Sequence, residues 1–391
     1  MSKHIVIVSN YYPPEIGAAA NRIKNLAEGL QQKGNKVTVL CPLPNYPEGK
    51  IFIDYKGIFR REEEVNNIII KRFWIFPSKS RNPFIRLFSM LSFSWSLWFS
   101  IFSLFKNKPD TFIIQSPPLL VGLSGLVLAK FLGAKRILNV SDLWPLSALE
   151  LDVIKQGKLY DFLEKIERLN YKLASKIVTQ SHETADYIKN IVTKDVMVYR
   201  NAPSFNAYNV KKKSDKNLTI VYAGLLGFAQ GVLEICQSIN FKKLSAEFHI
   251  YGAGMHLEQI IEITKQQRGI FYHGVVSSCE IKEKIRSYDV SLVPLKNKIY
   301  GAVPSKIFEL MQLGVPILFF GEGEGQKLVK ENSLGMYCKS NDFKKLEDNI
   351  KEFVLLGNKD YKEISSNLLY LHKKYFRLDY QLENFIKFIK E

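Results

Sequence analysis

Residues Gly301–Phe320, GAVPSKIFELMQLGVPILFF, pass from a loop through a helix and a tight turn into a strand. Pro304 and Ser305 open the helix, where a small hydroxyl side chain can satisfy the orphan N–H groups of the first turn. Ile307, Leu310, Met311 and Leu313 recur at helical spacing and should face a core. Gly314 ends the helix, and Val315 to Phe320 reads as a strand buried on both faces of a parallel sheet. Lys306, in the first turn, and Glu309, one turn in, lie off the apolar face. A helix N-terminus carries partial positive charge, so with Lys306 it suits an anion such as phosphate. Glu309 can accept two hydrogen bonds from neighbouring hydroxyls such as those of a ribose. The plainer reading, an i,i+3 ion pair on a solvated helix face, stands beside it.

The residues before this stretch repeat its alternation. Leu218 onwards reads strand, glycine-bearing loop, helix; Ala246 to Tyr251 is a strand turned by Gly252-Ala253-Gly254; Ile270 to His273 and Val290 to Pro294 are further strands. The N-terminal half shows the same rhythm. Strands His4 to Ser9 and Lys36 to Cys41 flank a loop, Asn10 to Ala20, and an amphipathic helix, Asn21 to Lys33. Thr111 to Gln115, Lys135 to Val140, Lys176 to Gln180 and Val196 to Tyr199 follow as strands. Strand, glycine loop, helix, strand is the βαβ unit of a parallel sheet, and ligands of such sheets sit at the carboxyl ends of the strands. Gly17, followed by three alanines, permits close approach of a ligand to the backbone. The glycine fingerprint of a dinucleotide site is absent, which argues against NAD. Asn206 to Asn217 is polar, basic and aperiodic, a linker or surface loop. The expected architecture is α/β, with an N-terminal domain over 1–203, a C-terminal domain over 204–372, and an aromatic-rich terminal helix, 373–391, packing back on the first. The deepest cleft should lie between the two.

A chain of 391 residues exceeds one core, and 46% hydrophobic with 24% charged residues is ordinary for globular proteins. The net charge of +17 is not ordinary and points to a polyanionic partner: nucleic acid, an anionic membrane face or phosphorylated substrates. Cys41, Cys236, Cys279 and Cys338 are widely spaced, as reduced thiols would be, and form no disulfide or zinc frame. The opening MSKHIVIVSNYY reads as entry into a core strand, not as a signal peptide.

Lys50 to Lys108 holds eleven Lys/Arg against four Asp/Glu, and within it Leu87 to Phe105, LFSMLSFSWSLWFSIFSLF, runs 19 residues without a charge. A transmembrane helix needs about 20 such residues, but this one would interrupt an α/β domain, and six serines lower its hydrophobicity. A buried core helix does not account for aromatics beside so many cations. A helix lying in the membrane interface accounts for both and is the preferred reading. Arg81, Arg86, Phe93, Trp95, Trp98, Phe99 and Phe102 are its expected membrane-facing residues.

Five segments, YYPPEIGAAANR, PNYPEG, SDLWP, YAGLLGFAQG and PSKIFELMQLGVPIL, taken in order along nearly the whole chain, resemble the family 4 glycosyltransferases of the GT-B fold, in which two Rossmann-like domains face each other across a cleft. Within that family they look most like the bacterial branch that transfers amino sugars such as N-acetylfucosamine in capsule, O-antigen and related polysaccharide synthesis. The resemblance implies a retaining transfer from a UDP-sugar held by the C-terminal half to a polyprenyl-diphosphate-linked saccharide held by the N-terminal half. It implies no bound metal or other cofactor, and a place at the cytoplasmic face of the bacterial inner membrane. On the donor side it implies Glu309 at the ribose, Ser305, Lys306 and Ile307 at the phosphates, and Gly17 close to the outer phosphate. Asn201, Gly224, Gln230, Gly231, Gly252 and Gly254 would line the donor, and Val275 would face the base. On the acceptor side it implies Glu15, Asn21, Arg22, Asn45, Tyr46, Asp142 and Trp144. Asp142 would orient or deprotonate the attacking hydroxyl; capping the turn before Leu143-Trp144-Pro145 is its structural alternative. The chain departs from the family in two places. Gly301 stands where a glutamate is common, eight positions before Glu309, and Gln230 where a lysine is common.

Other readings stay in view. The charge would suit a nucleic-acid binder, although no RNP, helix-turn-helix or KH signature appears. Gly301 and Gln230 would suit a nucleotide-sugar binder without activity. A sugar-nucleotide epimerase lacks its usual histidine and acidic constellation here, and a glycoside hydrolase lacks an evident carboxylate pair.

Overall fold

The computed structural model describes every residue except Met1, Lys79, Arg81, Asn82, Asn201, Ser204, Phe205, Ala207, Asp215, Lys216 and Lys298. It also leaves undescribed the side chains of Ala18, Pro83, Phe84, Arg86, Ser278 and Cys279. Arg81 and Asn201, and the side chain of Arg86, therefore lie outside the described residues.

The chain forms two compact units. One holds Met1–Arg200 together with Leu382–Glu391, and the other Asn201–Gln381. The sheet of the first unit contains β1 (His4–Val8), β2 (Lys36–Pro42), β3 (Arg60–Val65), β4 (Ile68–Phe73), β5 (Thr111–Ser116), β6 (Lys135–Val140), β7 (Lys176–Thr179) and β8 (Val196–Val198). They lie in the order β3-β4-β2-β1-β5-β6-β7-β8, parallel throughout except for the antiparallel β3–β4 edge. The second unit contains β9 (Leu218–Ala223), β10 (Ala246–Tyr251), β11 (Ile270–Tyr272), β12 (Val290–Pro294), β13 (Ile317–Phe320) and β14 (Gly335–Cys338). Their order, β11-β10-β9-β12-β13-β14, all parallel, is the Rossmann order 3-2-1-4-5-6. Direction of winding reverses between β1 and β5 in the first sheet and between β9 and β12 in the second. Ligands of doubly wound sheets bind at such switch points.

Apolar runs made most of these strands, the charged edge strand β3 apart. Ile5, Val6, Ile7 and Val8 are at most 1% exposed, and Ile317 to Phe320 likewise, because helices cover both faces of each sheet. The C-terminal segment closes the first unit, with Leu382, Phe385 and Ile389 in the core formed by β1, β2 and the helix Ala18–Gln32. That close contact explains a small residue at Gly29, whose added Cβ would lie 2.6 Å from Leu382.

The structure corrects several expectations. The first helix begins at Ala18, not Asn21. The β3–β4 hairpin and β14 were not anticipated. Asn66 and Asn67 both have positive φ, 52° and 59°, and close a two-residue hairpin in which Val65 pairs with Ile68. This hairpin also spends part of the expected cation excess: Arg72, 2% exposed, bonds Glu63 at 2.9 Å, and Lys71 pairs with Glu62 at 3.2 Å.

The uncharged run is continuously helical over Leu87–Lys106 and is the one helix among the described residues long and apolar enough to cross a membrane. A 3-10 turn, Leu97–Ser100, divides it. Its polarity is inverted relative to a soluble amphipathic helix. Ser92, Ser94, Ser96 and Ser100 are buried, while Phe88, Leu91, Trp95, Phe102 and Phe105 are 45–72% exposed. The inward serines bond backbone carbonyls, Ser96 to Trp74 and Ser92 to Ser89, and Phe76 N–H donates to Ser92 at 2.8 Å. Phe93 is wholly buried, so it belongs to the core and not to the expected outward face; Trp98 and Phe99 are half-buried, while Trp95 and Phe102 face outward.

Candidate active site

In the second unit three loops meet at the carboxyl ends of β9, β10 and β12. The first runs from Gly224 to Gly231, the second from Gly252 to Gly254, and the third leads into the helix Lys306–Leu313. Backbone bonds lace the first two together: Gly224 N–H to Tyr251 O at 2.9 Å, Leu226 N–H to Ala253 O at 2.9 Å, and His256 N–H to Leu226 O at 3.0 Å. The approach is so close that a Cβ on Gly252 would fall 1.8 Å from Gly224 O, and one on Gly254 2.4 Å from Leu226 O. Gly252 also has φ +138°, so only glycine holds this turn without strain.

Lys306 crosses the same point. Its Nζ lies 5.6 Å from the centroid of Tyr222, and a Cβ on Gly224 would come within 3.2 Å of that Nζ. Gly224 therefore makes room for the ammonium group. Burial pushes its pKa below the usual lysine value, and the nearby Glu309 carboxylate opposes the shift. No ion pair within 4.0 Å joins the two, so the i,i+3 surface pair is not what holds them. Glu309 is half-buried; its N–H bonds Ser305 O at 3.3 Å, and its carboxylate has no hydrogen-bond or ion-pair partner among the described residues. The helix that carries both is closed by Gly314 in the left-handed region, φ 63°. Ser305 does not cap it: no side-chain hydrogen bond reaches the first turn. Instead Ile307 N–H bonds Pro304 O at 3.1 Å and Phe308 N–H bonds Ser305 O at 3.1 Å. The side chain of Ile307 is wholly buried, so only its backbone could meet a ligand.

Gly231 adopts φ +67° beneath Lys296, whose Nζ pairs with Glu234 at 2.5 Å. Sequence reasoning passed over Lys296; it brings a cation beside the turn where Gln230 stands. It also passed over Leu225, Phe228 and Met255, which are 60–71% exposed on the same loops. An exposed apolar residue on a glycine loop was the available signal. Val275 follows β11 and is 70% exposed.

In the first unit the loops after β1, β2 and β6 carry the other expected residues. Glu15 is 3% exposed and its carboxylate accepts three backbone N–H groups: Asn45 and Tyr46 at 2.9 Å each, and Tyr12 at 3.3 Å. It ties the first loop to the second and is not turned to solvent. Burial raises its pKa above the ordinary carboxylate value, against those three donors. Tyr46 stacks edge-on against Tyr11 at 5.5 Å, and a Cβ on Gly17 would touch Tyr46 at 3.7 Å. Arg22 lies in the first turns of Ala18–Gln32, where the Nε is buried without a hydrogen-bond partner. Burial lowers its pKa, with the charge of Asp142 acting in the opposite sense. Asp142 itself is exposed, Trp144 half-buried, and Asn21 exposed. Among the described residues no group of three or more His, Cys, Asp or Glu forms a metal-holding cluster.

Comparison with known proteins fits this arrangement. Residues 17–200 match the glycosyl transferase 4-like domain, and residues 217–355 match the glycosyl transferases group 1. A protein of Escherichia coli K12, WcaI, named as a colanic acid biosynthesis glycosyl transferase, is 22% identical over 333 residues, covering 79% of this chain and 81% of the relative. Among solved structures, sucrose-phosphate synthase of Thermosynechococcus elongatus superposes with TM-score 0.72 at 11% identity over 99% and 98% of the two chains. HepE of Anabaena, solved with UDP-glucose, gives TM-score 0.66 at 11% identity over 99% of each. Two Rossmann-ordered sheets, a lysine and a free glutamate on the helix after β12, and two matching domain models place the chain among the GT-B glycosyltransferases of the family 4 type.

Proposed function

We propose that the protein transfers an N-acetylated amino or deoxy sugar from a UDP-sugar to a polyprenyl-diphosphate-linked saccharide, with retention of anomeric configuration and without a bound metal, in capsule or O-antigen synthesis. The observation that carries the donor half of this reading is Glu309, whose carboxylate has no partner among the described residues and lies one helical turn from Lys306, at the switch point between β9 and β12. A carboxylate so placed accepts both hydroxyls of a ribose. As the sugar–phosphate bond breaks, negative charge gathers on the leaving diphosphate. Lys306 and the N-terminal dipole of its helix stabilise that charge, and they do so without reorganising. Lys296, freed from Glu234, is positioned on the same loops to add a second cation. The relative HepE was solved with UDP-glucose, which supports a nucleotide-sugar donor. On the acceptor side, Asp142 receives the proton of the attacking hydroxyl, and Arg22 sits at a helix N-terminus suited to a phosphate. The outward aromatics of the Leu87–Lys106 helix support a seat at the cytoplasmic face of the inner membrane, against anionic lipid.

Calorimetric titration of UDP, GDP and ADP into the full chain and its Glu309→Ala variant tests the donor site. UDP should bind best, and Glu309→Ala should weaken it by about 100-fold or more, the worth of two charge-assisted hydrogen bonds. Equal UDP affinity in the variant would remove Glu309 from the site.

A further inference from the structure

Two histidines meet near the edge of the second sheet. His249 lies on β10 and His273 directly follows β11, and Nδ1 of the first is 2.9 Å from Nε2 of the second. The ring planes differ by 10° and the centroids are 5.2 Å apart, so the two nitrogens point at each other along a hydrogen bond. Glu247 sets which ring donates. Its Oε2 lies 3.4 Å from His249 Nε2, so that nitrogen carries the hydrogen and Nδ1 is left to accept from His273 Nε2–H.

Burial, then the neighbouring ring, pushes the pKa of His249 below the usual histidine value, with Glu247 opposing; burial, then Lys284, does the same to His273. Both rings are therefore neutral near neutral pH, the state in which one can donate to the other. Phe271 and Tyr288 pack on His249 at 4.9 and 4.7 Å, and Tyr251 stacks on His273 at 4.8 Å.

The pair is joined to the donor loops through the backbone. Gly274, at φ +79°, follows His273, and its carbonyl accepts Gly252 N–H at 2.9 Å. The Tyr272 hydroxyl donates to Gly252 O at 2.9 Å, and Gly252 in turn lies against Gly224. Val275, the next residue, is 70% exposed. β11 stands two strands from β9, roughly 10 Å, which is the span of a nucleoside whose phosphates lie at Lys306.

We propose that the His249–His273 hydrogen bond fixes the Gly274–Val275 turn and thereby sets the choice of nucleobase in the donor. Both histidines are positioning residues that act through the turn, a role that rests on the donor reading above.

The test measures UDP and ADP affinity by calorimetry on the full chain, because the two nucleotides share ribose and diphosphate and differ only in the base. His249→Phe keeps a flat ring against Phe271 and Tyr288 but loses the acceptor. UDP affinity should fall about fivefold, the worth of one hydrogen bond, while ADP affinity holds, so the UDP/ADP ratio falls by the same factor. His249→Asn offers an amide oxygen where Nδ1 stood and should return the ratio to the parent value. A parent-like melting transition reports that each variant is folded. An unchanged ratio in His249→Phe, equal losses for UDP and ADP, or no recovery in His249→Asn would overturn the positioning role and leave the donor site standing. Failure of the parent chain to bind either nucleotide would overturn the donor reading, and the positioning role with it.

Discussion

Two buried carboxylates of the first unit do different work at the scale of single residues. Glu15 accepts three backbone N–H groups from two loops, so its removal unties both. Glu15→Ala should cost about 2–3 kcal/mol, the penalty for leaving buried donors unmet, and should weaken acceptor binding while leaving UDP affinity intact. Glu15→Gln keeps an acceptor oxygen and should recover part of both; chemical denaturation and calorimetry read the two effects. Glu167 has the opposite character. It is 1% exposed, accepts the Tyr171 hydroxyl at 2.7 Å, and its pKa is pushed up to about 7, first by burial and with the Tyr171 hydrogen bond opposing. Below its ordinary value of 4.5 the group is protonated in folded and unfolded chains alike and adds no pH dependence to stability. As pH rises past that value the unfolded chain ionises first, so folding stability falls until the native carboxyl ionises near pH 7. The loss approaches roughly 3 kcal/mol. Glu167→Gln should therefore match the parent protein at pH 4 and exceed it in stability by about 1–3 kcal/mol at pH 8. A gain of equal size at both pH values would mean that packing, not ionisation, is responsible.

The helix Leu87–Lys106 shows how an element can be found from sequence while its orientation is not. Its length and lack of charge were plain. Its six serines were counted only as lowering its hydrophobicity, but four of them turn inward because a small hydroxyl can bond a carbonyl and still let a neighbouring element approach. The aromatics that remained outside, Trp95 and Phe102, are 57% and 72% exposed. Replacing both with serine should release the protein from anionic vesicles in a flotation assay, since roughly 2 kcal/mol per buried aromatic is lost. Retention of full vesicle binding would exclude this face as the docking element. The hairpin β3–β4 was missed for a different reason. Its charged edge strand, Arg60 to Val65, carries almost no apolar signal, and Ile68-Ile69-Ile70 was absorbed into the basic region around it. The Asn66-Asn67 pair was the readable mark of the turn. The helix after β12, by contrast, was legible nearly residue by residue, because a glycine stop and an apolar period of 3.6 leave few alternatives. Only its cap differed, since Ser305 takes helical dihedrals and cannot reach the N–H groups ahead of it.

At the scale of the whole molecule the chain does not divide at a single cut. After Gln381 it leaves the second unit and returns to the first, where Leu382, Phe385 and Ile389 are at most 4% exposed. Phe385 packs against Tyr199 at 5.0 Å, and Lys33 pairs with Glu383 at 2.8 Å. The last ten residues are thus a structural part of a unit whose other residues ended at Arg200. Burying one phenylalanine of this kind is worth about 3–5 kcal/mol against its alanine variant, a large share of the roughly 5–15 kcal/mol that holds a domain folded. Phe385→Ala should therefore lower the melting transition of the first unit strongly. The donor loops sit on the other unit, built on β9, β10 and β12, so UDP affinity should be unchanged at temperatures where both variants are folded. Differential scanning calorimetry with and without UDP separates the outcomes. If the two units unfold independently, Phe385→Ala moves one transition and UDP moves the other. A single transition that responds to both perturbations would instead mean that the units unfold as one, and that the returning C-terminal helix couples acceptor-side stability to donor occupancy.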